Sequence, residues 1–422
     1  MNAFDKIIGY KKEKEELSRI CDMVKNGEKY SRLGVQLPRG LLLHGVPGVG
    51  KTLMATALIE QMGRKCLTIR KDKSEGEFVG YIAEVFAEAK ENAPSVVFLD
   101  DMDKFAADSD CRNPEEFVAI QSGFDGVRDS DVFIIATANV IRDIPRSLLR
   151  SGRFDRVIEV KTPNRGEAVE IISHYIEGKS IADDVEPALV ARLMDGSSCA
   201  ELEGVLNEAG IYAGYEGEDV ICRRHIISAV LRKMFDAEES INEVSAFERE
   251  EVAIHEAGHA VVAYSFDRES VSLISIRPSK SDSQGVVQIL QSQTYFGSYR
   301  KMYERVLSIL AGRAAVEIKY GRIDVGATSD LNRAITMVQR FVKDYCVSGF
   351  GYLESAGYHT VNSERSDDEI AVESNAMLGR MYEETKSILR ANWARVELLA
   401  AELEKRDTLL YEDIAELFGD AA

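Results

Sequence analysis

Short apolar and β-branched runs recur through the first part of the chain, at Leu41–His44, Cys66–Ile69, Val96–Leu99, Val132–Ala136 and Val157–Val160. Between several of them the apolar residues space out every three or four positions, as in Thr52–Met62 and Ile82–Asn92. Strands alternating with helices predict an α/β domain, a mostly parallel sheet covered on both faces. Asn92-Ala93-Pro94 is a helix stop just before the third run. The pattern changes at Pro163. From there Gly166–Glu177, Glu186–Met194, Ala200–Tyr212 and Arg224–Phe235 read as short helices separated by glycine-containing turns. They predict a small helical subdomain, and the polar, acidic stretch Asp236–Glu250 reads as a linker.

A further helical pattern covers Val252 to Tyr264, followed by strand-like Val271–Ile276 and Gly285–Leu290. The remainder is helical, and no proline after Pro278 interrupts it. Leu389, Trp393, Val396, Leu399 and Leu403 form one apolar stripe at helical spacing. Core packing accounts for such a stripe without a ligand.

Composition narrows the function classes. At roughly 150 residues per domain, a chain of 422 residues holds two to three. The net charge of −19 argues against a general nucleic-acid binder, because phosphates attract basic surface. The six cysteines are scattered, with no Cys-x-x-Cys pair, which fits reduced thiols in a cytosolic protein. No stretch approaches the ~18 apolar residues of a membrane span, and Met1–Tyr10 has no signal-peptide core. The expectation is a soluble, cytoplasmic protein.

Two motifs carry chemistry. Gly45-Val46-Pro47-Gly48-Val49-Gly50-Lys51-Thr52 matches the phosphate-binding loop in full, between the apolar strand Leu41-Leu42-Leu43 and a helical pattern. Its glycines let backbone N–H groups turn around the phosphates of a nucleotide. Lys51 would meet the β/γ oxygens, and Thr52 would ligate Mg²⁺. The buried-strand run Val96–Leu99 ends in Asp100-Asp101, placing Asp100 to hold the Mg²⁺ shell and Asp101 beside the attacking water.

The second motif is His255-Glu256-Ala257-Gly258-His259. Positions i and i+4 share a helix face, so both imidazoles can converge on one Zn²⁺. Glu256 projects beside the open coordination position, as a general base requires. Spacing leaves the third ligand open among Glu317, Asp324 and Asp330.

With both motifs in this order, the chain resembles the AAA+ ATPases, and among them the FtsH-type zinc proteases. The resemblance runs from Phe4 through the C-terminal helices. It implies an α/β AAA+ nucleotide-binding domain with a helical lid, followed by a mainly α-helical zinc metallopeptidase domain. The corresponding bounds are 1–162 for the core, 163–237 for the lid, 238–250 for a linker and 251–422 for the peptidase. Gly326-Ala327-Thr328-Ser329-Asp330-Leu331 is similar to the family segment whose Asp completes the zinc shell, which selects Asp330. Asn139 sits like the polar sensor of the γ-phosphate. Leu148–Arg156 looks like the second region of homology, making Arg150 and Arg153 arginine fingers that reach a neighbouring subunit's ATP. Ile8-Gly9 and Cys199-Ala200 match positions around the adenine, and Phe78-Val79-Gly80 resembles the pore loop that grips a threaded chain.

By that resemblance the protein is an ATP-dependent endopeptidase of unfolded polypeptides, a homohexameric ring using Zn²⁺, ATP and Mg²⁺. Two departures stand out. Asp101 replaces the family's usual Glu, one methylene longer, so hydrolysis is expected to be slow. Typical members also carry transmembrane segments ahead of the ATPase module, which here begins near Asn2–Lys6; the protein is soluble by nature or the chain has been trimmed. Two rivals are a remodelling chaperone with an idle zinc site and a peptidase gated by ATP binding alone.

Overall fold

The structure is a computed structural model describing residues 2–72, 75–106, 114–150, 152–237, 245–278, 285–290, 298–322, 328–345, 347 and 363–420. Two compact units divide the chain, Met1–Cys222 and Arg223–Ala422.

In the first unit, helices α1 (Lys11–Lys25) and α2 (Gly27–Ser31) precede a five-stranded sheet. Its strands are β1 (Gly40–His44), β2 (Lys65–Ile69), β3 (Ser95–Leu99), β4 (Val132–Ala138) and β5 (Arg156–Glu159), in the spatial order β2-β3-β4-β1-β5. Every neighbouring pair is parallel. Every residue of β3 and β4 is buried, as continuous apolar runs in a two-sided parallel sheet require. Helices α3 (Lys51–Met62), α4 (Glu75–Glu91) and α5 (Pro114–Gly126) connect the strands. Because all five strands run the same way, β1, β3 and β4 end at one edge of the sheet. There His44 lies in register with Ala138, and Leu99 with Ala136. Ligands of open α/β sheets bind at such an edge.

Helix α4 begins well before the expected Ile82. It takes in Phe78, Ile82, Val85, Phe86 and Ala89, all buried in the core of this unit. The helical subdomain follows as α6 (Arg165–Ile176), α7 (Pro187–Leu193) and α8 (Cys199–Tyr215). Asn164 with Glu167, and Ser198 with Glu201, form capping boxes that start α6 and α8.

The second unit opens with α9 (Arg223–Phe235), which the sequence pattern grouped with the preceding short helices, and the long α10 (Ala246–Phe266). Ser245 and Glu248 cap α10 reciprocally. Three antiparallel strands, β6 (Val271–Ser275), β7 (Val286–Ile289) and β8 (Thr408–Leu410), lie in the order β7-β6-β8. The other helices are α11 (Tyr299–Tyr320), α12 (Thr328–Lys343), α13 (Ser363–Ala391), α14 (Trp393–Arg406) and α15 (Tyr411–Leu417). The expected stripe from Leu389 to Leu403 is shared by two helices, because Asn392 leaves helical dihedrals (φ −117, ψ 19) and separates α13 from α14. Leu389, Val396, Leu399 and Leu403 are nevertheless buried in one core. Among the described residues no helix is long and apolar enough to cross a membrane.

Candidate active sites

The phosphate-binding loop leaves β1 and enters α3. Gly45 has φ +153, and a Cβ there would lie 2.0 Å from the Val160 carbonyl oxygen, so no other residue fits. Gly48 and Gly50 also have positive φ, and α3 starts directly behind them, its N-terminal N–H groups facing the loop. A cavity of about 780 Å³ opens over Pro47–Met54 and is also lined by Ile8, Tyr10, Asp101, Asn139 and Ala200. Gly9 is buried beside it at φ +67. The Ala200 N–H donates to the Gly48 carbonyl at 3.1 Å, so the start of α8 is tied to the loop.

Lys51 folds back on its own loop. Its Nζ donates to the carbonyls of Gly45 (2.7 Å) and Val46 (2.9 Å) and to Asn139 Oδ1 (2.9 Å). Burial pushes its pKa down, against the opposing pull of Asp101, Asp103 and Asp100. Asp100 is buried, and its Oδ1 accepts from Thr52 Oγ1 at 3.1 Å and Thr137 Oγ1 at 2.8 Å. The Thr52 hydroxyl and the Asp100 carboxylate are thus adjacent, the oxygen pairing a Mg²⁺ shell needs. Asp101 adopts left-handed φ +55 and pairs with Lys104 at 2.6 Å. Sequence reasoning missed Thr137, a β4 residue that also accepts the Asp101 N–H at 2.8 Å.

Arg150 and Arg153 do not line this cavity. Arg150 is exposed; Arg153 donates to the Ser147 carbonyl at 2.9 Å and pairs with Asp125 at 3.3 Å. The pore-loop expectation is corrected: Phe78 is fully buried inside α4, edge-on to Phe105 with ring centroids 5.3 Å apart. An aromatic packed this way is core and presents nothing to a threaded chain.

In the second unit His255 and His259 lie one turn apart on α10, and Asp330 lies in the first turn of α12. Their Nε2 atoms are 3.0 Å apart, and Asp330 Oδ2 is 3.1 Å from that of His259 and 3.5 Å from that of His255. Tetrahedral ligands with bonds of about 2.0–2.1 Å sit roughly 3.3 Å from one another, so the spacing fits a zinc ion. His259 Nδ1 lies 2.7 Å from the Ser308 carbonyl oxygen, which accepts its N–H and leaves the Nε2 lone pair for a metal. Burial alone would raise the Asp330 carboxyl, but both imidazoles outweigh it and hold the group well below the usual carboxylate range. Glu317 is engaged elsewhere, accepting from Tyr382 Oη at 2.6 Å and pairing with Lys386 at 3.3 Å. Asp324 lies outside the described residues.

Glu256 is buried, and burial raises its pKa against the opposing influence of His255 and His259. The backbone of Gly285, just ahead of β7, closes over its carboxylate. Helix α11 closes the other side: a Cβ on Gly312 would lie 2.4 Å from His259 Nε2 and 2.5 Å from His255 Nε2. Sequence reasoning missed Ser308, Gly285 and Gly312, since none belongs to a local motif.

A phosphate loop at a parallel sheet edge and, in the same chain, a His/His/Asp cluster beside a buried Glu are the features of a P-loop nucleotide site and of a metallopeptidase-type centre. Comparison with known proteins refines that class. Residues 41–162 match the ATPase family associated with various cellular activities (AAA), and residues 242–417 match peptidase family M41. The chain is 31% identical over 444 residues to the ATP-dependent zinc metalloprotease FtsH of Rhodothermus marinus, covering 99% of this chain and 63% of that protein. It is 30% identical over 447 residues to ATP-dependent zinc metalloprotease FtsH 1 of Thermomicrobium roseum, covering 99% and 68% respectively. For the Mesoplasma florum FtsH the figures are 30% over 434 residues, 97% and 66%. The chain belongs to the FtsH family of ATP-dependent zinc metalloproteases. It spans slightly less than two thirds of the Rhodothermus and Mesoplasma relatives.

Proposed function

We propose that the chain is an ATP-driven zinc endopeptidase that unfolds, translocates and degrades polypeptides. The observation that carries this is the convergence of His255, His259 and Asp330 beside the buried Glu256 carboxylate, in a chain that also has a complete phosphate loop. His255 and His259 through Nε2, and Asp330 through Oδ2, would hold Zn²⁺. When bound, zinc polarises water and the scissile carbonyl. Glu256 takes a proton from the attacking water onto its carboxylate and passes it to the leaving amine nitrogen. Its raised proton affinity suits a group that must hold that proton between the two steps. Strand β7, at the sheet edge, offers main-chain pairing to an extended substrate, and such pairing accepts many sequences.

On the nucleotide side, Lys51 would leave its carbonyls for the β/γ phosphates of ATP, and Thr52 and Asp100 would hold Mg²⁺. Gly45 to Gly50 cradle the phosphates, Ile8 and Gly9 border the adenine, and Asn139 reads the γ-phosphate. Asp101 faces the hydrolytic water. Arg150 and Arg153 serve the next subunit's ATP in a homohexameric ring, and the ring works in the cytoplasm. The proposed bounds are 1–162 and 163–237 for the ATPase core and lid, 238–250 for the linker and 251–422 for the peptidase.

A folded, tagged reporter is the test, incubated with and without ATP and with Glu256 intact or changed to Gln. Degradation only with ATP and intact Glu256 is expected; equal degradation by the Glu256→Gln chain would overturn the reading. A second reading, peptidase gating by ATP binding alone, is favoured by the Asp101–Lys104 pair, which engages the shorter carboxylate with a cation. Degradation sustained by a non-hydrolysable analogue would select it.

A further inference from the structure

Strands β2 and β3 pair in parallel with Ile69 opposite Leu99, and the Asp100 N–H donates to the Ile69 carbonyl at 3.1 Å. Arg70 and Asp100 therefore leave the sheet side by side. The two hydroxyls of Thr52 and Thr137 fix Asp100 Oδ1. Its other oxygen, Oδ2, meets Arg70 Nη2 at 2.5 Å. The Asp100 side chain is 8% exposed and that of Arg70 59%, so the guanidinium arrives from solvent and covers the open face of the carboxylate.

We infer that Arg70 is a built-in rival of Mg²⁺ at Asp100, a positioning residue that must be displaced before a metal–nucleotide complex can seat. This rests on the reading of Asp100 as a magnesium-shell residue. Mg²⁺ demands oxygens at about 2.0–2.1 Å in near-ideal octahedral geometry. A guanidinium donating to the same carboxylate oxygen obstructs that approach sterically and by its charge. The rest of the site is satisfied internally in the same way: Lys51 rests on loop carbonyls and Asp101 on Lys104. Neither of those contacts touches the Asp100 carboxylate, whereas the Arg70 contact does. Nucleotide binding therefore needs a higher Mg²⁺ concentration than the loop and Asp100 alone would require. Free Mg²⁺ concentration becomes a control on occupancy.

The experiment measures binding of a fluorescent ADP analogue to the full chain across a Mg²⁺ series. Arg70→Gln, which removes the charge at a mostly exposed position, is expected to lower the half-saturating Mg²⁺ concentration by about threefold or more. Arg70→Lys, which keeps a cation, stays nearer the wild type, and all three reach the same affinity at saturating Mg²⁺. Circular dichroism checks that the variants fold. An unshifted Mg²⁺ dependence in Arg70→Gln, or a shift to higher Mg²⁺, overturns the inference while leaving the nucleotide site standing. A wild type that binds no nucleotide at any Mg²⁺ concentration overturns both.

Discussion

A single hydrogen atom in place of a methyl decides whether the peptidase centre can assemble. Gly312 lets α11 approach both imidazole Nε2 atoms, and a Cβ at that point would overlap them. Gly312→Ala should therefore turn the rings and weaken zinc affinity by roughly ten- to a hundredfold, the range seen when groups supporting metal ligands are disturbed. Zinc content by atomic emission checks this; a fully loaded variant would refute it. At the other site the residue of interest is Asp101, one methylene short of the family's usual Glu and held by Lys104. Because a displacement of ~1 Å in a reacting group can change a rate by about a hundredfold, Asp101→Glu should hydrolyse ATP faster. A steady-state ATPase assay in which the wild type is faster would sink that expectation. These residues also mark the limits of reading the sequence. Lys51, Thr52, His255 and His259 were legible because each belongs to a motif contained within one loop or one helical turn. Gly312, Ser308, Thr137 and Arg70 were not, since each reaches its site from a different element, and nothing in a lone Gly, Ser, Thr or Arg announces a neighbour far away in sequence.

Among the elements, the parallel strands and α10 were plain in the apolar pattern, whose period separates buried strand from helix. Helix α4 was not, although its sequence contained the answer. Phe78, Ile82, Val85 and Ala89 repeat at three- and four-residue spacing, one buried helical face that extends upstream of the predicted start. The likeness of Phe78-Val79-Gly80 to a pore loop hid that continuity. The consequence is measurable. With its ring edge-on to Phe105 and none of it exposed, Phe78→Ala should cost about 3–5 kcal/mol, as large-to-small changes in packed cores do. Chemical denaturation followed by a probe in the first unit reports it, and a stability within 1 kcal/mol of the wild type would return Phe78 to a role outside the core. The break at Asn392 was illegible for a different reason: the stripe from Leu389 to Leu403 keeps its period across it, so burial is continuous although the backbone is not.

At the scale of the whole molecule, the chain holds a nucleotide cavity whose walls include Lys51, Asp101 and Asn139 but neither Arg150 nor Arg153. A phosphoryl group in transfer needs cationic stabilisation beyond Lys51, and arginine supplies it well because its guanidinium stays charged and forks onto oxygens. If those arginines act in a neighbouring subunit, two differently damaged chains should repair each other. Lys51→Ala has a dead nucleotide site but intact arginines; the Arg150→Ala, Arg153→Ala double variant has the reverse. Each alone should hydrolyse ATP at a small fraction of the wild-type rate. Mixed, they should regain a substantial share, because an intact phosphate loop in one chain then faces intact arginines from the next. Dilution should abolish the recovery, since it separates the partners without altering either chain. Arg153 adds a check of its own, being tied to Asp125 and the Ser147 carbonyl. The double variant must therefore first show a wild-type melting temperature, so that lost activity is not lost folding. A folded double variant that hydrolyses ATP at the wild-type rate by itself would place the stabilising cation elsewhere, and with it remove the reason for hydrolysis to depend on assembly.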